Sequence, residues 1–301
     1  MIELNQISKS FQTEQVLNNV DLSIKEGEVF GLIGTNGAGK STLLRIMSCI
    51  IKPTSGTITI DEQPVYQTAA TKKELFFIPD EFYFFQNATP LDMKKYYSSI
   101  YEHFNCEKFD KLLETFSFDP KKRITSMSKG MKKQIAIFCG VCANTKYLYC
   151  DETFDGLDPI MRQSIKSLFA GEIAERGLTP IIASHNLREQ EDICEHVGIL
   201  HKGNIVLSKD LLELKCTIQK IECAFSNEED AKNCLAQLDI TASTRKGPLH
   251  LLTVKGDREE VMKILSQYQT TYLEIIPLTL EEIFITEMEA IGYDIKTLIM
   301  D

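Results

Sequence analysis

The sequence predicts an α/β fold followed by a smaller α+β domain. Residues 29–51 have the pattern of a buried strand, a glycine-rich loop and a helix. Strand-like runs return at 147–150 and 181–184, with a helix over 160–175 between them. This succession suits a parallel sheet with crossover helices. After about Leu212 the predicted order is β-α-β-β-α-β, the order of a ferredoxin-like domain.

The composition indicates a folded protein that does not bind nucleic acid. Of 301 residues, 43% are hydrophobic and 25% are charged, which is typical of globular proteins and excludes general disorder. Acidic residues outnumber basic ones by 43 to 33, giving a net charge of −10. Proteins that coat nucleic acid are normally basic, so we expect no nucleic-acid partner.

The sequence also predicts a cytoplasmic location. No stretch approaches the roughly 18 uninterrupted apolar residues of a membrane-spanning helix. The first residues alternate between polar and apolar, without the cationic start and apolar run of a secretory signal. The nine cysteines are an odd number in a long chain, so we expect reduced and mostly packed thiols rather than disulfides.

Within the first 60 residues the pattern predicts short strands, since Val20, Leu22 and Ile24 alternate with polar residues. A helical subdomain is expected over about 87–140, where Thr89-Pro90 resembles the start of a helix. A hairpin with its turn at 202–204 closes this part of the chain.

The predicted boundary therefore separates a domain over 1–212 from an accessory domain over 213–301. In the second domain, Ile221, Cys223 and Phe225 alternate as in a strand, and Lys246-Gly247-Pro248 marks a turn between two strands. Thr279 and Glu282 have the spacing of a capping box at the start of a last helix.

The loop from Gly34 to Ser41 fits the phosphate-binding pattern G-x-x-x-x-G-K-[ST]. It lies between a predicted strand and a predicted helix, where consecutive backbone N–H groups can surround a phosphate at the positive end of the helix. Lys40 would add a full positive charge, and Ser41 would offer a hydroxyl to Mg²⁺. An ordinary glycine-rich turn is the weaker interpretation.

Two adjacent carboxylates, Asp151 and Glu152, follow the apolar run at 147–150. Because neighbouring residues of a strand point to opposite faces, the two acids can serve different roles. We expect Asp151 to face a metal ion and Glu152 to face an attacking water. With the loop, this pair favours a nucleoside triphosphatase.

Three further motifs indicate which kind of nucleoside triphosphatase this is: Ser128-Lys-Gly-Met131, Gly156-Leu-Asp-Pro159 and Ser184-His185. With them, the sequence over about Met1–Leu212 resembles the ATP-binding subunit of an ABC transporter. The resemblance implies a P-loop NTPase core with an antiparallel β subdomain and an inserted helical subdomain. The cofactors it implies are ATP and Mg²⁺.

The resemblance also implies a composite site in a head-to-tail dimer. Glu152 and His185 would be catalytic, and the predicted metal ligands are Ser41, Asp151 and Asp80. The resemblance places Phe11 against the adenine and Asp158 in the D-loop. It also implies that Ser128 and Gly130 contact the ATP held by the opposite subunit. The full set of implied nucleotide-binding residues is Phe11, Gly34, Thr35, Asn36, Gly37, Ala38, Gly39, Lys40, Ser41, Thr42, Ser128, Gly130 and Asp158.

Two positions depart from the family pattern. The signature LSGGQ reads Met127-Ser-Lys-Gly-Met131 here, a form familiar among ATPases of export-type (ABC-2-like) transporters. The Q-loop position holds Asp80 in place of glutamine; a carboxylate can still bind Mg²⁺, with an altered charge. The basic residues at 121–123, 129, 132 and 133 are interpreted mainly as solvated surface, or else as facing lipid or the second ATP.

The sequence thus predicts an ATPase that forms a homodimer, or a heterodimer with another ABC ATPase, around two Mg-ATP. It would power a separate transmembrane permease, with export as the expected direction, from the inner face of the membrane. A soluble ABC ATPase without a transport role is the alternative. A P-loop kinase or GTPase is less favoured, because the sequence has no Asn-Lys-x-Asp guanine motif.

Overall fold

Two structural units make up the chain in the computed structural model, which describes residues 1–66 and 69–290. The first unit runs to Ser208, and the second begins at Lys209. The candidate site lies in the first unit.

An antiparallel sheet contains the first strands of the chain, in the order β2-β1-β4-β5. In β2, Val20, Leu22 and Ile24 are buried and the residues between them are exposed, which is the alternation expected of a sheet with one face on a core. The strands are β1 (Ile2–Phe11), β2 (Glu14–Ile24), β4 (Ser55–Ile60) and β5 (Gln63–Pro64).

The central sheet has the order β10-β9-β3-β8-β7-β6. Neighbouring strands from β9 to β6 are parallel. Three of its strands, β3, β7 and β8, are buried throughout, as continuous apolar runs in a parallel sheet should be. The strands are β3 (Phe30–Ile33), β6 (Leu75–Ile78), β7 (Tyr147–Asp151), β8 (Thr179–Ser184), β9 (His196–His201) and β10 (Asn204–Asp210).

The register of this sheet brings three chain segments to one edge. Ile33 at the end of β3 pairs with Ser184 at the end of β8, and Asp151 at the end of β7 pairs with Ala183. Ligand sites of open α/β sheets lie outside the carboxyl ends of the strands. The residues that follow these three strands are therefore neighbours.

Helices connect the strands of the central sheet. The predicted helix over 41–51 is shorter in the structure and ends at Met47, because Cys49 adopts a left-handed backbone with φ of 63°. The connecting helices are α1 (Lys40–Met47), α2 (Ala69–Lys73), α6 (Pro159–Arg176) and α7 (Leu187–Ile193).

A group of helices stands between β6 and β7. Thr89 and Asp92 form a reciprocal capping box at its first helix, with Pro90 as the first helical residue, so Thr89-Pro90 does mark a helix start. The elements are α3 (Pro90–Ile100), α4 (Cys106–Thr115), a 3₁₀ turn (Ile124–Ser126) and α5 (Lys129–Cys142).

The second unit has the predicted β-α-β-β-α-β order, in an antiparallel sheet β12-β13-β11-β14. The predicted capping box is confirmed, since Thr279 and Glu282 exchange hydrogen bonds. The elements are α8 (Leu211–Thr217), β11 (Ile218–Phe225), α9 (Glu228–Leu235), β12 (Asp239–Lys246), β13 (Leu249–Lys255), α10 (Arg258–Leu265), β14 (Thr270–Ile276) and α11 (Leu280–Ala290).

The cysteines, which all fall in the described ranges, form no disulfides. Six are buried, Cys49 and Cys106 are half-buried, and Cys216 is exposed. Burial raises the pKa of the Cys150 thiol to about 12, so this thiol is protonated at neutral pH. None of the helices in residues 1–66 and 69–290 combines the length and apolar character needed to cross a bilayer.

A buried carboxylate connects α4 to α6. Glu172 in α6 is 1% exposed and forms ion pairs with Lys108 of α4 and with Arg176 one turn later. The Arg176 guanidinium also donates to the carbonyl of Thr145 at 2.5 Å. Lys108 has a second acidic neighbour, Glu175, at 3.6 Å, and that side chain is 72% exposed.

We expect Glu172→Gln to lower the free energy of unfolding by about 2–3 kcal/mol, because it leaves two cations without their buried partner. Glu175→Gln is the matched control, since an exposed pair contributes about 0–1 kcal/mol. Urea unfolding of the full chain measures both. Equal effects of the two substitutions would contradict a structural role for the buried pair.

Candidate active site

The predicted phosphate-binding loop connects β3 to α1. Gly39 is the N-cap of α1 with φ of 108°, and it offers no side-chain hydrogen bond to the first N–H groups of the helix. A Cβ at Gly34 would collide with the carbonyl oxygen of Leu200. The loop thus requires glycine at both positions, and the start of α1 keeps backbone donors for an anion.

Lys40 is a buried cation, only 6% exposed. Its ammonium donates to the carbonyl oxygens of Gly34 at 2.8 Å and Thr35 at 3.3 Å, and lies 3.6 Å from Oε1 of Glu152. Burial lowers the pKa of Lys40, while the negative charges of Glu152 and Asp151 oppose that effect. A buried charge of this kind needs close partners, and an anionic phosphate is a suitable one.

Two of the three predicted metal ligands are in direct contact. The hydroxyl of Ser41 donates to Oδ1 of Asp151 at 2.9 Å. Burial raises the pKa of the Asp151 carboxyl, and the hydrogen bond from Ser41 acts against this rise. One hydroxyl and one carboxylate oxygen at the start of a helix are the hard oxygen donors that Mg²⁺ prefers beside phosphates.

The two predicted catalytic residues are also in contact. Oε2 of Glu152 lies 2.9 Å from Nδ1 of His185, which follows β8. Glu152 has a left-handed backbone with φ of 48°, which costs about 1–2 kcal/mol in a residue with a Cβ. Its N–H donates to the carbonyl of Ala183 at 2.9 Å. The structure therefore gathers Lys40, Glu152 and His185 at one edge of the sheet.

A cleft of about 340 Å³ lies over the loop, lined by Val16, Glu152 and residues 35–42. Sequence reasoning missed Val16, although the adjacent apolar residues Val16 and Leu17 depart from the strict alternation seen over 20–24. It also missed Asp155, whose carboxylate lies within 4.8 Å of ligand atoms of Glu152 and His185. An acid three residues after Glu152 was the available signal for Asp155.

The remaining nucleotide-binding predictions lie elsewhere in the described part of the chain. Phe11 is 45% exposed at the end of β1, with the Lys9 ammonium 4.9 Å from its ring centre. The side chains of Ser128 and Asp158 accept hydrogen bonds as N-caps of α5 and α6. Gly130 stands beside the carbonyl oxygen of Gly156. These roles stay predictions.

Asp80, the third predicted metal ligand, forms an ion pair with Lys133 at 3.2 Å. The Lys133 ammonium also donates to the carbonyl oxygen of Glu152 at 2.5 Å. The sequence placed Lys133 in a solvated basic run, whereas the structure shows it to be 5% exposed. Asp80 as a metal ligand stays a prediction.

The site combines the groups required for phosphoryl transfer to water. Lys40 and the start of α1 can bind phosphates, and Ser41 with Asp151 can hold Mg²⁺, which neutralises phosphate charge when bound. Glu152 and His185 are close enough to share a proton or orient a water. Burial and a charged partner perturb the pKa of Lys40, as is common at functional sites.

Comparison with known protein families gives a match over residues 17–155 to the family described as "ABC transporter". The ABC transporter ATP-binding protein YtrB of Bacillus subtilis is 31% identical over 287 residues, which cover 95% of this chain and 98% of YtrB. The methionine import ATP-binding protein MetN of Legionella pneumophila is 32% identical over 216 residues, 68% of this chain and 63% of MetN.

Solved structures share the fold of the first unit. A structure described as the ATP-binding subunit of an ABC transporter has a TM-score of 0.66 at 24% identity, covering 71% of this chain and 92% of that one. The ATP-binding cassette MJ0796, in a dimeric post-hydrolysis state with ADP and Pi, has a TM-score of 0.64 at 22% identity. The match covers 70% of this chain and 99% of that one. These likenesses confirm the predicted α/β fold class.

The raised pKa of Asp151 leads to a pH-dependent effect on stability. The folded state binds this proton more tightly than the unfolded chain does, so ionised Asp151 destabilises the fold above its folded-state pKa. In the absence of Mg²⁺, we expect Asp151→Asn to unfold at a higher temperature than the parent at pH 8. The two melting temperatures should converge as the pH falls towards 4. A difference between the two melting temperatures that stays constant from pH 8 to pH 4 would contradict a raised pKa of Asp151 in the folded state.

Proposed function

Because the chain belongs to the ABC transporter ATP-binding proteins, and is accordingly an ATPase that uses ATP and Mg²⁺, we propose that it powers a separate transmembrane permease. The observation that carries the ATPase part of the proposal is the cluster of Lys40, Ser41, Asp151, Glu152 and His185 at one sheet edge, and similarity to an ABC transporter ATP-binding protein supports the transport part. The similarity to YtrB extends over 95% of the chain. The proposal includes a cassette domain over 1–212 and an accessory domain over 213–301.

In the proposed reaction the γ-phosphate of ATP is transferred to water. Lys40 and the loop hold the phosphates, and Ser41 with Asp151 holds Mg²⁺. Glu152 accepts a hydrogen bond from the attacking water and orients it, while His185 restrains the Glu152 carboxylate and faces the γ-phosphate. Their 2.9 Å contact supports this division of roles.

We propose that the active form is a dimer enclosing two Mg-ATP. The structure of MJ0796 is described as dimeric, and that protein shares this fold. Ser128 and Asp158 are exposed in the single chain, so they are accessible to a second copy. Phe11, 45% exposed, offers a ring on which adenine can stack. The second cassette is either another copy of this chain or a different ABC ATPase.

Export is the direction we propose, from the Ser128-Lys-Gly-Met131 signature and the segment 277–284, which resembles the tail of export-type ATPases. The relatives named MetN are methionine import proteins by their names, and they favour the opposite direction. Inside-out vesicles containing the complex distinguish the two. ATP-dependent uptake into such vesicles indicates export.

The permease is proposed to bind at an exposed aromatic cluster, defined as Tyr83, Phe85 and Tyr96. Tyr83 is 78% exposed, and the Phe85 ring lies 4.7 Å from Tyr96 at an angle of 81°. Exposed aromatic groups of this size are costly in water and are frequent at protein interfaces. Binding there would place the chain on the inner face of the membrane.

We expect Glu152→Gln to reduce ATP hydrolysis by about 10²–10⁴-fold, the usual contribution of a group that acts on the proton in catalysis. ATP binding should remain, because the amide keeps the shape of the side chain and leaves Lys40 in place. Phosphate release and nucleotide titration measure the two properties. Size-exclusion chromatography with ATP should show a stable dimer.

Lys40→Ala provides the contrasting variant, since it removes the cation that faces the phosphates and is expected to lose ATP affinity. Parental hydrolysis by Glu152→Gln would overturn the role proposed for Glu152. Unchanged nucleotide affinity in Lys40→Ala would overturn the role proposed for the loop.

The double variant Tyr83→Ser/Phe85→Ser tests the permease surface. We expect it to hydrolyse ATP normally and to lose its permease when membranes are solubilised with ATP and the tagged chain is purified. Tyr272→Ser, at a 42% exposed tyrosine of the second unit, is the control and should retain the permease. Co-purification of ribosomes or repair factors in place of a membrane protein would favour the soluble ABC ATPase.

A further inference from the structure

Lys133 is a buried lysine that the proposed reaction does not use. It lies in the first turns of α5, five residues after Ser128, and is 5% exposed. Lysine is almost never buried to this degree without partners. Its partners therefore indicate why the fold keeps a cation at this position.

The Lys133 ammonium connects two segments that are far apart in the sequence. It forms an ion pair with Oδ1 of Asp80, which follows β6, and donates to the carbonyl oxygen of Glu152, which follows β7. The first contact spans 53 residues and the second 19. A single side chain thus holds the segment after β6, the start of α5 and the backbone of Glu152 together.

The backbone of Glu152 needs such support. Its φ of 48° is unfavourable for a residue with a Cβ, so the conformation must be held by its surroundings. Two hydrogen bonds hold the peptide groups on either side of Glu152. Its N–H donates to the carbonyl oxygen of Ala183, and its carbonyl oxygen accepts from the Lys133 ammonium. The carboxylate that contacts His185 and Lys40 is attached to this backbone, so a shift of the backbone displaces the carboxylate.

We propose that Lys133 is a positioning residue, which fixes the backbone of Glu152 through its carbonyl, and that Asp80 is the counter-ion that holds Lys133 in place. The inference rests on the role proposed for Glu152. It assigns Asp80 a partner in the protein, in place of a contact with Mg²⁺. A loss of the Lys133 hydrogen bond then misdirects the carboxylate without removing any group that touches ATP.

The test compares two neutral substitutions of similar length. Lys133→Met keeps the aliphatic side chain and removes every donor, whereas Lys133→Gln keeps a donor without the charge. We expect Lys133→Met to lower kcat by about 10–100-fold, the effect of misplacing a catalytic group by about 1 Å. Lys133→Gln should stay within about fivefold of the parent, because its amide can still bond the carbonyl.

The Michaelis constant for ATP distinguishes a positioning role of Lys133 from general damage to the site. KM for ATP should change by less than about twofold in both variants, since the Lys133 ammonium bonds to Asp80 and Glu152 rather than to the loop proposed to bind phosphate. Lys94→Met is the matched control, because it removes another lysine–aspartate pair, with Asp110 at 2.6 Å, in α3 and α4, which contain none of the predicted site residues. It should hydrolyse ATP at the parental rate.

The role of Asp80 is tested by a double-mutant cycle. Asp80→Ala should lower kcat several-fold in the parent and have no further effect in Lys133→Met, because the counter-ion acts only through the lysine. If Asp80→Ala raises the Mg²⁺ concentration needed for hydrolysis in both backgrounds, Asp80 acts on the metal and its counter-ion role is overturned.

The outcomes for this inference differ from those for the proposed function. Loss of hydrolysis in Glu152→Gln with a parental kcat in Lys133→Met would overturn the positioning role alone. If Lys133→Met does not fold, Lys133→Gln and Asp80→Ala decide the question. A kcat near that of the parent in Lys133→Gln, together with the several-fold loss in Asp80→Ala, supports the proposal. A parental kcat in both variants, or a kcat of Lys133→Gln as low as that of Glu152→Gln, overturns it.

Discussion

The burial of the Lys40 cation is the constraint on which the rest of the site depends. An ammonium removed from water needs acceptors, and the structure supplies two loop carbonyls and the Glu152 carboxylate. The carbonyls fix the curve of the loop, and Glu152 must come from the end of a neighbouring strand. The parallel register of β3, β8 and β7 is what brings that strand end within reach. Charge burial and sheet topology are therefore coupled.

The sequence predicted much of this arrangement because its signals are local. A glycine pattern between a strand and a helix, and acids at the end of an apolar run, depend on residues close together in the chain. The second unit was equally predictable, since strand and helix periodicity alternate clearly there. Local signals existed for Val16 and Asp155, but they were too weak to single out these residues. Lys133 could not be predicted in this way, because it acquires its place through contacts with the distant residues Asp80 and Glu152, and a lysine in a basic run has the pattern of surface.

Ser128 and Asp158 show a different limit of sequence reasoning. Each caps a helix in the single chain, so its side chain has a structural role before any nucleotide binds. The motif identifies these residues without distinguishing a capping role from contact with the ATP of a second copy, because a short polar side chain at a helix start satisfies both. The geometry within one chain accounts only for the capping role. Contact with the ATP of a second copy depends on the proposed dimer.

The distribution of the thiols has a practical consequence for spectroscopy. Eight of the nine cysteines are buried or half-buried, and burial raises the pKa of Cys49 and Cys223 to about 11, which suppresses their reactive thiolate forms. Among these nine, all of which the structure describes, Cys216 alone is exposed. A maleimide fluorophore or a nitroxide spin label should therefore attach selectively in α8 of the second unit. The sequence thus contains its own reporter position, and the second unit can be observed during turnover without cysteine replacement.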